Sequence, residues 1–200
     1  MFKKILLLLA APILAFAGQI ADPVQFMQTV TVDVVADLNK LPNTQESQQL
    51  YAIINQKILP HVDIEFMGRW VVGRKAWLES TPEQQKAYLR SFTTLLSRTY
   101  SKTLLVFKDR NMKYYRLGSG DYEKMTRIQV ICEIQQDNKD PIKAIYQLHL
   151  VQQEWKIFDI LVEGVSMLKG LQAQYADLIA KEGITGVTNV MQQKVDEAKV

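Results

Sequence analysis

Asp159 and Glu163 stand four residues apart in residues 158–168, FDILVEGVSML, where two carboxylates could divide general acid and general base chemistry. On an extended strand that separation places their Cα atoms about 13 Å apart, whereas the carboxyls of a glycosidase pair lie about 5 to 9.5 Å apart. The spacing therefore points to a structural or partner-facing role. Ser166 follows Gly164 by two residues, as in a nucleophile elbow, but that motif needs a second glycine where this chain has Leu168. A helix-capping role for Ser166 fits better. His61 and His149 are the only histidines, and with the lone Cys132 they offer no metal-ligand spacing. Gly68 and Gly73 in GRWVVGRK imitate the glycine spacing of a phosphate loop without its Gly-Lys-Ser/Thr ending. No catalytic residue, metal or cofactor is expected from these patterns. Arg69, Arg74 and Lys75 form a basic corner, read either as a solvated face or as a contact for head groups or an acidic partner.

The elements that would carry these residues are readable in order. Residues 1–17 contain Lys3, Lys4, an apolar run and Ala15-Phe16-Ala17, the pattern of a secretory signal peptide. The run falls short of the roughly 20 apolar residues that span a bilayer. Its removal leaves one domain, residues 18–200, with 22 basic and 21 acidic side chains. A near-neutral chain with scattered basic residues predicts no nucleic-acid partner. A single cysteine allows no internal disulfide. The expected product is a soluble monomer in a periplasm-like compartment.

Asp22-Pro23 predicts a helix start, with helical spacing from Val24 to about Leu41. A second helix is expected over 43–59, stopped by Pro60, and a third from Asp63 to Gly73. Thr81-Pro82-Glu83-Gln84 is a capping box, opening a long helix whose apolar stripe runs through Leu89, Phe92, Leu95, Leu96, Tyr100, Leu104 and Phe107. From residue 111 the period changes to two, predicting four antiparallel strands near 111–117, 123–135, 141–151 and 154–163. Helices are expected over 165–181 and 184–194. The fold class is α+β, a four-stranded antiparallel sheet packed by helices.

Apolar surface exceeds what a chain of this size plainly needs. Ile128, Val130, Ala144, Tyr146 and Leu148 share one sheet face, and simple alternation adds Phe158, Ile160 and Val162 from the last strand. The stripe Leu89, Phe92, Leu96, Tyr100 and Leu104 would oppose them, with Ile64, Met67 and Val71 of the third helix and Leu168 beyond the last strand. Two readings fit: an ordinary closed core, or helices and sheet standing apart around a cavity for apolar ligand.

Three blocks carry a more specific signal: ILPHVDIEFMGRWVVGRKAW over 58–77, TPEQQKAYLRSFTTLLSRTY over 81–100 and WKIFDILVEGVSML over 155–168. In sequence and spacing they resemble the toluene-tolerance family, which contains the periplasmic phospholipid-binding component of the Mla lipid-transport pathway. The resemblance runs from about Asp22 to Lys194. It implies a curved antiparallel sheet like that of nuclear transport factor 2, with a helical extension enclosing a lipid cavity. It further implies phospholipid as cargo, and two membrane partners. These are an inner-membrane ABC transporter with an MCE-domain subunit and an outer-membrane lipoprotein associated with porin. The role implied is maintenance of outer-membrane lipid asymmetry. Asp63, Met67, Gly73, Trp77, Phe92, Leu95, Leu96, Tyr100, Asp159, Glu163, Gly164 and Ser166 occupy family positions, while Gln172 replaces a frequent arginine. Two rivals stay open: an enzyme of the same fold class using His149 or Tyr146, and a chaperone for lipoprotein tails.

Overall fold

The computed structural model describes residues 20–41, 47–118 and 121–197. The expected signal peptide and its cleavage site lie outside the described residues. Helix α1, Pro23–Lys40, begins where Asp22 accepts hydrogen bonds from the backbone N–H groups of Val24 (2.8 Å) and Gln25 (3.0 Å), with Pro23 supplying the first-turn geometry. Met27, Val30, Val34 and Leu38 recur at helical spacing and are all buried. Helix α2, Ser47–Ile53, does not continue as an α-helix to residue 59. It widens into a π-helical turn over Ile54–Ile58 and tightens to a 3₁₀ turn over Leu59–His61. Helix α3 (Ile64–Val72) and the short α4 (Arg74–Leu78) follow, meeting at Gly73.

Helix α5, Pro82–Ser101, starts with both bonds of its capping box in place: Thr81 N donates to Gln84 Oε1 (2.8 Å) and Gln84 N to Thr81 Oγ1 (3.3 Å). The expected continuation to Phe107 instead becomes a 3₁₀ segment, Lys102–Phe107. The change of pitch turns Leu104 away from the α5 stripe. Leu104 is buried against α1 and α2 with Val34, Leu38 and Leu50.

The sheet contains five strands in the order β1-β2-β3-β4-β5, all antiparallel. The four expected strands are β1 (Met112–Leu117), β2 (Arg127–Gln136), β3 (Lys139–Val151) and β4 (Glu154–Val162); the two-residue β5, Val165–Ser166, was not anticipated. Gln152 and Gln153, and again Glu163 and Gly164, both hold positive φ, as tight two-residue hairpins demand. Helix α6, Met167–Glu197, is broken at Gly183 (φ 63°, ψ −158°), which only glycine adopts without strain.

Strand register corrects the simple alternation in β4. Gln147 pairs with Asp159 but Leu148 pairs with Ile157, so Phe158 is an extra residue, a β-bulge. Trp155 and Ile157 therefore share the face of Leu148, Tyr146 and Ile160, and Phe158 turns to the opposite face. The first face, with Ile128, Val130, Cys132, Ile134 and Ala144, packs on Met27, Val24 and Phe26 of α1. The opposite face meets α3 and α6, where Phe158 joins Phe92, Leu168 and Tyr175.

Helices α3 and α5 approach closely because residue 68 has no side chain. A Cβ there would lie 2.6 Å from Leu89 Cδ2 and 3.1 Å from Tyr88 Cε1, and the Tyr88 hydroxyl donates to Gly68 O at 3.1 Å. Gly170 sits on α6 with nothing within 4 Å of a built Cβ. Gly68→Val should thus lower stability by about 2 kcal/mol through overpacking, while Gly170→Ala should raise it by about 0.5–1 kcal/mol. Urea titration of both variants checks the pair, and equal effects would refute this packing.

Candidate functional site

The residues that could do chemistry are engaged as tethers. Asp159, only 4% exposed, accepts four hydrogen bonds: Ile160 N (2.9 Å) and Leu168 N (3.1 Å) at Oδ1, Gln147 Nε2 (3.1 Å) and Ser166 Oγ (2.6 Å) at Oδ2. Ser166 Oγ in turn accepts from Lys169 N at 3.1 Å, the capping bond expected of it. This carboxylate seats the start of α6 on β4, with its charge at the positive end of the helix. Glu163 is held elsewhere, accepting from Lys143 N at 2.8 Å. The two acids serve separate anchors.

His149 is likewise committed. Its Nε2 lies 2.9 Å from Asp63 Oδ2, while Asp63 Oδ1 caps α3 by accepting from Phe66 N at 2.9 Å. The imidazole forms a three-ring cluster with Phe66 and Phe158, each 4.9 Å away between centres. Asp63 N also donates to Ile157 O at 2.9 Å, fixing the chain before α3 beside β4. Sequence reasoning missed this pair, whose members are 86 residues apart. The available signal was His149 on the polar side of an otherwise alternating strand. Burial, with a smaller contribution from Cys132, pushes the Tyr146 hydroxyl well above the ordinary tyrosine range. A phenol held protonated in this way is no general base near neutral pH.

The expected apolar residues do not line one common space between α5 and the sheet. Met67, Val71, Phe92, Leu96, Phe158 and Leu168 belong to a helical cluster, with Ile64 and Leu89 packed against it. Ile128, Val130, Ala144, Tyr146 and Leu148 belong to the sheet cluster, with Ile160 against it. Leu104 belongs to the third cluster, under α1 and α2. The α5 stripe faces α3 and α6 because the chain places α1, not α5, over the first sheet face. Val162 is 48% exposed at the last hairpin and Tyr100 is 36% exposed.

A domain of this size usually has one contiguous core. Here the helical and sheet clusters share Val62, the sheet and third clusters share Phe107, and among the described residues they have no other member in common. The π-helical turn, a geometry frequent at functional sites, runs along the third cluster. Its Asn55 Oδ1 accepts from the buried Ser97 Oγ of α5 at 3.3 Å. The seam between the clusters is the candidate site.

Two grooves lie on the outer side of the helical layer. One, of about 610 Å³, is lined by Glu65, Trp77, Pro82, Gln85, Lys86, Leu89, Arg90, Thr93 and Thr94. Of the basic corner, Arg69 stacks over Trp77 (5.6 Å) and pairs with Glu65 (3.6 Å), while Arg74 and Lys75 are exposed. The second, of about 360 Å³, is lined by Val71, Val72, Lys169, Gln172, Ala173, Ala176 and Ile179. Gln172 Nε2 donates to Trp70 O at 3.2 Å, bridging α6 to α3. Among the described residues no group of acids, histidines and cysteine is placed to hold a metal, and no helix is long and apolar enough to cross a membrane.

An antiparallel meander with apolar helices on both faces, divided into separate apolar clusters, defines a small α+β domain built around greasy surface. The chain belongs to the MlaC protein family, whose model matches residues 28–193. It is 24% identical over 183 residues to the intermembrane phospholipid transport system binding protein MlaC of Haemophilus influenzae, spanning 88% of this chain and 83% of that protein. It is 26% identical over 184 residues to the toluene tolerance protein ttg2D of Pseudomonas putida, spanning 90% and 83%. Its fold matches the phospholipid-binding protein from Ralstonia solanacearum, solved in complex with a phospholipid. There the TM-score is 0.78 at 24% identity, over 90% of this chain and 100% of that one.

The tether at Asp159 makes a ranked prediction. Asp159→Ala strands four donors and should cost about 3 kcal/mol, whereas Ser166→Ala removes one cap and should cost about 1 kcal/mol. Denaturant unfolding measures both, and a Ser166→Ala loss equal to that of Asp159→Ala would disprove the central place of the carboxylate.

Proposed function

We propose that this protein is a soluble periplasmic carrier of phospholipid that binds its cargo along the seam between the three apolar clusters. The observation that carries the reading is the division of the core, whose clusters share only Val62 and Phe107 among the described residues. Membership of the MlaC family supports it, as do relatives named for phospholipid transport and phospholipid binding. Acyl tails would part the sheet and third clusters and lie against the face of Val130, Tyr146 and Leu148 beside Leu104, with Met67, Phe92 and Leu96 in the helical cluster on the opposite face of the sheet.

The energetics favour a shuttle over free diffusion. A diacyl lipid carries on the order of 30 methylenes, so its gross hydrophobic transfer is roughly 25 kcal/mol. An apolar seam nearly balances that term, and release then depends on a partner that offers the tails another apolar path. The partners proposed are an inner-membrane ABC transporter with an MCE-domain subunit and an outer-membrane lipoprotein associated with porin. Exchange between them would maintain outer-membrane lipid asymmetry. The carrier acts as a monomer, with no catalytic step and no cofactor, and phospholipid as its only small-molecule cargo.

Trp155 reports on the placement because its ring lies in the sheet cluster while Trp77 lies in the helical one. Solvent extraction of the purified protein followed by mass spectrometry should recover diacyl phospholipid. In a Trp70→Phe, Trp77→Phe background, loading from vesicles of brominated phosphatidylcholine should quench Trp155 by more than half. Recovered lipid with an unquenched Trp155 would move the cargo off the sheet face, and no recovered lipid would sink the carrier reading.

The basic corner is the proposed contact for an anionic head group or acidic partner. Replacing Arg69, Arg74 and Lys75 together by glutamine should slow lipid transfer to acceptor complexes at low salt, and the difference should shrink as salt screens it. Unchanged transfer at both salt concentrations would return the corner to a solvated face.

A further inference from the structure

Among the described residues, two buried side-chain polar atoms have no hydrogen-bond partner, Gln49 Oε1 and Tyr175 Oη. Tyr175 is only 2% exposed and sits on the face of α6 that enters the helical cluster. Leaving a buried donor unmet weakens folding by about tenfold or more in the equilibrium constant, and most native proteins avoid it. The same cluster does satisfy its other buried phenol, since Tyr88 donates to Gly68 O at 3.1 Å. The omission at Tyr175 is local and specific.

What stands beside the Tyr175 ring is chemically consistent. The Lys194 ammonium, on the second half of α6, lies 5.4 Å from the centre of the Tyr175 ring. Burial raises the Tyr175 hydroxyl above its ordinary range, and the nearby Tyr100 phenol raises it further, so the group stays a donor at neutral pH. Tyr100 is 36% exposed, so the two phenols step from the surface into the cluster. Two neutral O–H donors and one cation beside apolar walls select a molecule that brings oxygen acceptors or negative charge on an apolar body. A free anion would have to abandon its hydration without apolar surface in return. The glycerophosphate portion of a phospholipid supplies phosphate and ester oxygens attached to the tails that carry them inward.

We propose that Tyr175, flanked by Tyr100 and Lys194, is the polar anchor of the cargo, its hydroxyl donating to a phosphate or ester oxygen while the tails fill the apolar seam. This rests on the phospholipid reading above. It assigns the polar end of the lipid to the region where the end of α5 meets the two halves of α6.

Tyr175→Phe removes one oxygen and tests the assignment in the full chain. Two readouts should move in opposite directions. The delipidated variant should be at least as stable to urea as the parent, because an unsatisfied buried group is gone. Phosphatidylglycerol loaded into the variant should depart to acceptor vesicles about tenfold faster, the scale of one lost hydrogen bond to a charged acceptor. Lys194→Met, at an exposed position beside the Tyr175 ring, should speed departure in the same direction. A variant that gains stability but releases lipid at the parental rate would overturn the anchor. A variant that loses stability without lipid would also overturn it, by showing that the hydroxyl has a partner in the free protein. Millimolar inorganic phosphate should leave the delipidated parent's Tm unchanged, and a rise would reassign the site to a free anion. A parent that binds no phosphatidylglycerol would instead fail the carrier reading itself.

Discussion

The arrangement depends on β4 having to present apolar side chains to two bodies at once, α1 on one face of the sheet and the α3, α5 and α6 packing on the other. A regular strand offers one parity to each face, and the polar Asp159 and Lys156 would then fall among the side chains that most need burial. The extra residue at Phe158 resolves the conflict. Ahead of it Trp155 and Ile157 face α1, behind it Ile160 does the same, and the bulged pair Phe158 and Asp159 is delivered to the helical side. Phe158 there meets Phe66 and His149 at ring distances of 5.3 and 4.9 Å. Asp159 meets the N-terminus of α6. A one-residue irregularity thereby sets both where the helical cluster attaches and where the last helix begins.

Helix starts were legible because capping is local chemistry. Asp22-Pro23, Asp63 and Thr81-Pro82 each mark a boundary with side chains that satisfy the first free N–H groups. The strands were legible because alternation and turn residues are also local. What failed was everything decided by distant partners. The change from α- to 3₁₀-pitch at Lys102 follows from Leu104 packing under α1 and α2, more than fifty residues earlier in the chain. The bulge at Phe158 depends on what covers each face. The burial of the α5 stripe by α3 and α6, in place of the sheet, could not be read from a stripe that looks the same whichever surface it meets.

The same division governs the site. The sequence identified part of the apolar set that the structure buries, Phe92, Leu96, Val130 and Leu148 among it, and its reading of Ser166 as a helix cap matches the bonds that this hydroxyl makes to Asp159 and Lys169. It did not partition those positions into three clusters, because residue type records only that a side chain leaves water and not which neighbours it joins. Polar tethers such as Asp63 with His149 were equally silent. Their partners come together only after the sheet and α3 have found each other, and neither residue alone carries the signature of a pair.

The meander order of the sheet has a kinetic consequence. Each strand pairs with the next through a short connection, so every ladder closes a small loop and forms early at little entropic expense. The bonds that fasten the helices span far more chain: 86 residues between Asp63 and His149, 134 between Ala21 and Trp155. Loop-closure entropy alone therefore predicts that the apolar sheet face forms ahead of the contacts that fasten the helices over it. During that interval the nascent face of Val130, Tyr146 and Leu148 is open to water and to any greasy molecule nearby, which makes the folding chain itself the most adhesive form of this protein.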